Sequence, residues 1–206
     1  MIIAFEGLFG CGKSTQIEKL MIEFGDVLHF YKWNGCQESK NLFKELRNNN
    51  LLITDKAFEL QQLFSCYLNF DILKKSEDVI IIDRYTDSGI VRDLSRGNQH
   101  SLNCQLYQFS KKADFIIFID TPPLICYERL KNRRVGDLND RLWKLGMNQE
   151  YDSKKFDKEG YLNHLKKLRE VYLSLYKDRS NVYILDGTLS IESLYKIIYE
   201  IVKDKV

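Results

Sequence analysis

An α/β fold built on a five-stranded parallel sheet with helices on both faces is what the sequence predicts, and three observations predict it. Short, continuously apolar runs alternate with longer segments of helical periodicity, the pattern of strands buried on both sides rather than on one. The chain has 206 residues and is 44% hydrophobic, which suffices for one substantial core and is short for two ordinary domains. Its only prolines, Pro122 and Pro123, come directly after an apolar run, where they end a strand and open the next helix.

In chain order, the opening MIIAFEGLFG is an apolar run broken by Glu6 and glycines, with no basic leader. It reads as a strand over 2–5 rather than as a signal peptide. Further strands are predicted at 79–82, 115–119 and 182–185, each rich in Ile, Val or Phe, with a weaker one at 27–31. Helical periodicity predicts helices over 13–24, 57–74, 124–131, 161–176 and 191–202. The stretch 132–158 is crowded with charged and amide residues and lacks regular apolar spacing, which marks it as a flexible lid. The expected organisation is a single domain over 1–206 carrying that lid.

Charge and cysteine usage narrow the function classes. Thirty-one Lys+Arg against 29 Asp+Glu leave a net charge of +2, which is not the footprint of a nucleic-acid binder. Any bound anion must be gripped by a local cluster. Cys11, Cys36, Cys66, Cys104 and Cys126 are odd in number and scattered, with no CxxC pair. We expect a reducing, cytoplasmic compartment and no structural zinc. No window approaches 18 uninterrupted apolar residues, so no membrane span is expected.

Residues 7–14 read GLFGCGKS, an unbroken match to the P-loop pattern that cradles nucleotide phosphates. The apolar IIAF leads in and the amphipathic TQIEKLMIEF leads out, so the loop sits where a helix N-terminus aims free N–H groups at an anion. Gly7, Leu8, Phe9, Gly10, Cys11, Gly12, Lys13, Ser14 and Thr15 are therefore the candidate ATP-binding residues. Lys13 supplies a charge to the outer phosphates and the Ser14 hydroxyl a ligand for Mg²⁺. A second signal is DVIIIDRY at 78–85, which delivers Asp83 and Arg84 at the carboxyl end of a buried strand, where ligands bind in open parallel sheets. A carboxylate there holds a metal or accepts a proton, and a guanidinium takes a phosphate bidentately.

With these residues in place, the chain resembles the thymidylate kinase family of P-loop nucleoside monophosphate kinases, itself related to the deoxyribonucleoside kinases. FEGLFGCGKSTQ (5–16) resembles its opening loop and DRYTDSG (83–89) its DRYxxSG motif. FIIFIDTPP (115–123) with ERLKNR (128–133), and KLREVYLSLYKDRSNVYILDGTLSIESL (167–194), are similar to the stretches around its lid and at its end. The resemblance implies that Arg84 binds the acceptor phosphate, that Asp83 sits by the metal, and that Ser88 lies against base or sugar. It implies that Phe64 stacks on the base, although Phe64 also has a core reading at helical spacing with Leu60 and Leu68. Arg133 and Arg141 are the lid arginines it points to. Lys32 or Lys44 assists the acceptor phosphate in this likeness, Trp33 is a feature shared with the deoxynucleoside kinases, and Arg92 is a position near the sugar. A homodimer is also implied, with the helix over 57–74 contributing to its interface.

Three departures from the family pattern bear on substrate: Phe9 stands for an acid of the loop, Leu68 for a base-binding arginine, and Val91 with Arg92 for a small residue and an aromatic. The expected reaction is phosphoryl transfer from ATP·Mg²⁺ to a small-molecule deoxynucleoside monophosphate of the dTMP type. The alternatives are a deoxynucleoside kinase acting on a 5′-hydroxyl and a non-catalytic nucleotide-binding module.

Overall fold

Strand β1 (Ile2–Gly7) is buried at all six positions. Alternate side chains of a strand point to opposite faces, so burial throughout means that helices cover the sheet on both sides. The computed structural model describes residues 1–32, 41, 45, 79–97, 104, 107, 110–131 and 158–206. Four more strands, β2 (Leu28–Lys32), β3 (Val79–Asp83), β4 (Phe115–Asp120) and β5 (Val182–Asp186), complete a parallel sheet of order β2-β3-β1-β4-β5. The five-stranded parallel sheet flanked by helices is thus as predicted.

The helices are α1 (Lys13–Phe24), α2 (Thr86–Ser95), α3 (Pro123–Lys131), α4 (Lys158–Tyr176) and α5 (Ile191–Val202). On one side α1 packs with α5, where Gln16 Nε2 donates to Ile191 O and Phe24 stacks on Tyr199. On the other side α4 packs against α2 and α3. Tyr172 and Tyr176 of α4 meet Phe118 of β4 at centroid distances of 5.0 and 5.2 Å. Such pairs add about 0.5–1.5 kcal/mol each beyond their buried area. Among the described residues no helix is long and apolar enough to cross a membrane.

Helices α1 and α5 have the predicted limits. Strands β3, β4 and β5 each run one residue further than predicted, ending on Asp83, Asp120 and Asp186. Ladder hydrogen bonds do not depend on side-chain polarity, so a strand continues onto a carboxylate wherever its end reaches past the core. Helix α4 starts at Lys158 rather than at 161.

Among the fully described α-helices, α2 is the one that the sequence did not predict. It buries Thr86, Asp87, Ser88, Arg92, Asp93 and Ser95 alongside Gly89 and Val91. A helix whose buried side is mostly polar has no apolar stripe to read. Its closeness to Tyr107 also depends on Gly89, where a Cβ would stand 2.4 Å from the ring. The predicted helix 57–74 and lid residues 132–157 lie outside the described residues.

Candidate active site

Between β1 and α1 the chain makes the tight bend that glycine spacing foreshadowed. Gly10 has φ 80°, and a Cβ there would stand 2.6 Å from Cys126 O, so a larger residue is strained both by conformation and by space. Helix α1 begins at Lys13 without a side-chain cap. The first N–H groups of a helix have no intrahelical partner. Here Gln16 N closes onto Gly12 O at 3.3 Å, while the amides of Lys13, Ser14 and Thr15 have no protein acceptor among the described residues.

Those free amides and the positive end of the helix make an anion site. Lys13, buried to 6% exposure, bends back over the loop and donates to Gly7 O at 3.1 Å and Leu8 O at 2.9 Å. The same side chain lies 3.3 Å from Cys11 Sγ.

The loop is braced from outside through one carbonyl. Thr121 Oγ1 and Arg129 Nη1 both donate to Cys11 O at 3.2 Å, and Arg129 Nη2 donates to Gly187 O at 3.0 Å. The bracing residues come from the β4–α3 turn, from α3 and from the turn after β5.

At the carboxyl ends of the neighbouring strands stand Asp83, level with Phe5 and Lys32 in register, and Asp120. Asp120 is occupied, since Arg169 Nε and Nη2 hold its two oxygens at 2.6 and 2.7 Å. Asp83 has no such partner among the described residues. The exposed Ser14 hydroxyl and the Asp83 carboxylate are hard oxygen donors of the kind Mg²⁺ takes. No cluster of three or more His, Cys, Asp or Glu that would hold a metal occurs among the described residues. That donor set fits a cation that draws its remaining ligands from phosphate and water.

Arg84 follows Asp83 in a left-handed backbone conformation, φ 68°, which is strained for a side chain of this size and recurs at functional sites. Several contacts hold it there. Its amide donates to Phe5 O at 3.0 Å, its Nη1 donates to Ser88 Oγ at 3.1 Å, and its guanidinium lies 4.2 Å from the centre of the Phe9 ring. No carboxylate among the described residues forms an ion pair with it. Burial works against its charge, but the fields of Tyr172, Glu6 and Asp83 outweigh burial and hold its pKa above the ordinary range.

Beneath Arg84 lies Glu6, fully buried in β1. Its Oε1 accepts from Tyr85 N at 2.7 Å and Ser88 N at 3.3 Å, and its Oε2 accepts from Ser88 Oγ at 2.6 Å and Tyr172 OH at 2.9 Å. Burial pushes its pKa up, opposed by Arg84 and reinforced by Asp87. The network joins β1, α2 and α4 under the turn that carries Arg84.

Ser88 is 4% exposed, and its hydroxyl is engaged by Glu6 and Arg84. Arg92 is 9% exposed, and burial, with the like charges of Arg96 and Arg84 nearby, lowers its pKa. Lys32 is exposed at the end of β2, next to Asp83 in register. Trp33, Phe64, Arg133 and Arg141 lie outside the described residues, as does Leu68.

Glu6, Tyr172, Thr121 and Arg129 were not singled out by the sequence. For Glu6 a signal existed, a lone charge at the end of an otherwise apolar strand. For Tyr172 there was none, because a tyrosine at helical spacing reads as core.

The chain has matches among known proteins that agree with this geometry. A family model described as "Thymidylate kinase" matches residues 5–198. The thymidylate kinase of Thermosipho africanus is 32% identical over 216 residues, covering 98% of each chain. The probable thymidylate kinase 2 of Saccharolobus solfataricus is 29% identical over 194 residues, covering 91% of this chain and 88% of that one. Two solved structures share the fold. A deoxyadenosine kinase from M. mycoides has a TM-score of 0.68 at 17% identity, over 99% of this chain and all of that one. A thymidylate kinase from Candida albicans has 0.65 at 18%, over 98% and 91%.

Proposed function

We propose, from the premise that this chain belongs to the thymidylate kinase family of nucleoside monophosphate kinases, that it transfers the γ-phosphoryl group of ATP to dTMP or a closely similar deoxynucleoside monophosphate. The observation that carries the reading is Arg84, a cation held by backbone and side-chain contacts yet without an ion pair among the described residues. A half-buried guanidinium that is held in place with its free edge unpaired among the described residues suits an anion from outside the protein. The acceptor's phosphate supplies that anion.

In this reading the amides of Lys13, Ser14 and Thr15 hold the donor's phosphate tail. The Lys13 ammonium exchanges the Gly7 and Leu8 carbonyls for the outer phosphates. Arg84 fixes the acceptor phosphate opposite them, and the reaction is an in-line displacement. Positioning and charge neutralisation then supply most of the rate enhancement. Mg²⁺, held on the protein side by Ser14 and Asp83, would neutralise charge on the transferring group when bound. Lys32, Trp33, Phe64 and Arg92 complete the acceptor side of the proposal, and Arg133 and Arg141 are its lid arginines. The family likeness also suggests a cytoplasmic homodimer, which light scattering on the purified chain tests.

An assay coupled to ADP release, run with dTMP, the other deoxynucleoside monophosphates, deoxyuridylate and thymidine, tests the reading. Turnover with dTMP is expected. Phosphorylation of thymidine in the absence of any monophosphate kinase activity would move the assignment to the deoxynucleoside kinases. ATP binding without turnover of any acceptor would reduce the chain to a nucleotide-binding module.

A further inference from the structure

Phe9 stands in the middle of the phosphate loop, where the flanking backbone has a phosphate to hold, and its side chain takes no part in that. Its ring faces Arg84 at 4.2 Å, while the guanidinium donates from Nη1 to Ser88 Oγ at 3.1 Å. One face and one nitrogen of Arg84 are thereby engaged, and the other nitrogens have no partner among the described residues. A guanidinium fixed at one face and one corner presents its free edge in a single orientation, which suits a phosphate better than a freely rotating side chain does.

We infer that Phe9 is a positioning residue for acceptor binding: its aromatic face holds the Arg84 guanidinium in the orientation that receives the acceptor's phosphate, so that the loop holding the donor also aims the acceptor's receptor. The inference rests on the function proposed above and deepens it. A cation prefers an aromatic face to an alkyl surface of equal size because the ring's quadrupole is negative above its plane. The contact does not neutralise Arg84, as a carboxylate at that position would. Arg84 keeps its full charge for the ligand, under the fields of Tyr172, Glu6, Asp83 and Cys11.

The geometry also connects the two substrates. Leu8 O accepts from Lys13 Nζ at 2.9 Å, one residue before Phe9. A donor phosphate that draws Lys13 off this carbonyl therefore acts on the residue next to the ring under Arg84. ATP bound first should improve the acceptor's affinity, and by linkage the converse holds.

The test compares Phe9→Leu and Phe9→Met, which keep apolar bulk without an aromatic face, with Phe9→Tyr and Phe9→Trp, which keep the face. KM for dTMP, KM for ATP and kcat are measured on the intact chain, with dTMP binding by calorimetry in the presence and absence of a non-hydrolysable ATP analogue. Thermal melts identify any variant that fails to fold. The expected result is that both apolar variants raise the dTMP KM about five- to thirtyfold, the range for losing a desolvated cation–aromatic contact. ATP KM should change less than about threefold, since backbone amides hold the donor. Tyr and Trp should restore the dTMP KM, and the analogue should tighten dTMP binding to the wild type more than to Phe9→Leu. Wild-type turnover with an unchanged dTMP KM in both apolar variants overturns the inference and leaves the proposed function standing. A wild-type chain that neither binds nor phosphorylates dTMP overturns both.

Discussion

The loop between β1 and α1 and the turn after β3 face each other across one ring contact, yet they are assembled in opposite ways. The proposed donor loop is a single run of nine residues in which backbone supplies most of the polar groups: helix-start amides, glycine bends, and one lysine that folds onto its own loop. The Arg84 turn is assembled from pieces far apart in the chain. Glu6 reaches 82 positions to Ser88 and 166 to Tyr172. Contiguity makes the first region legible as a motif and tolerant of change around it. The second depends on a buried carboxylate satisfied by every one of its partners, and such networks lose more than one contact when a member is removed.

This contrast can be broken by substitutions that separate donor from acceptor effects. The largest effect should come from Lys13→Ala. It removes the one charged side chain of the donor loop and should lower kcat by about 10²–10³, the scale for losing one preorganised electrostatic group. A coupled ADP assay reads it. If kcat fell by less than tenfold, the loop would not be the catalytic donor site.

Arg84→Ala comes next, with dTMP kcat/KM lower by about a hundredfold, within the range of a charged hydrogen-bonding pair. ATP affinity should be within about threefold of wild type. Equal losses toward both substrates would dissolve the distinction drawn here.

Glu6→Gln should act at intermediate strength and through pH. Burial raises the Glu6 pKa above its ordinary 4.5, so between 4.5 and that higher native value the folded chain holds a proton that the unfolded chain has released. The Glu6 contribution to stability therefore falls as pH rises through this window. Activity runs the other way, because Ser88 and Tyr172 need the ionised carboxylate as acceptor, and it should fail as pH drops through the same window. In Glu6→Gln this acid limb should disappear from the kcat/KM profile, with turnover at neutral pH down by about tenfold, the cost of a mismatched buried hydrogen bond. A profile superimposable on that of the wild type would remove Glu6 from the site.

The smallest effect is expected at the outer braces of the donor loop. Arg129→Ala frees Gly187 O and leaves Cys11 O with Thr121 Oγ1 as its remaining side-chain donor. It should raise the ATP KM by about three- to tenfold while leaving the dTMP KM nearly unchanged, in keeping with about 0.5–1.5 kcal/mol for a hydrogen bond.

The parallel sheet and the positions of Lys13 and Arg84, the two cations of the proposed site, were legible from sequence because apolar runs and contiguous motifs carry their own signal. Helix α2 was not, and its position explains why. It lies under the acceptor turn with Asp87 paired to Arg179 and Ser88 bonded to Glu6, so its burial is polar and leaves no apolar period. The same property that hides it from pattern reading is what lets it support a cation.

Sequence alone determined the five strands of the parallel sheet, the glycine-rich loop motif and the reaction class, since each is encoded within a few neighbouring residues. Only the tertiary structure decided that Phe9 lies under Arg84, that Asp120 is tied to Arg169 while Asp83 has no ion pair among the described residues, and that Glu6 is the centre of a buried network. Those facts depend on side chains brought together from separate strands and helices, and no local pattern of polarity or spacing records which of them meet.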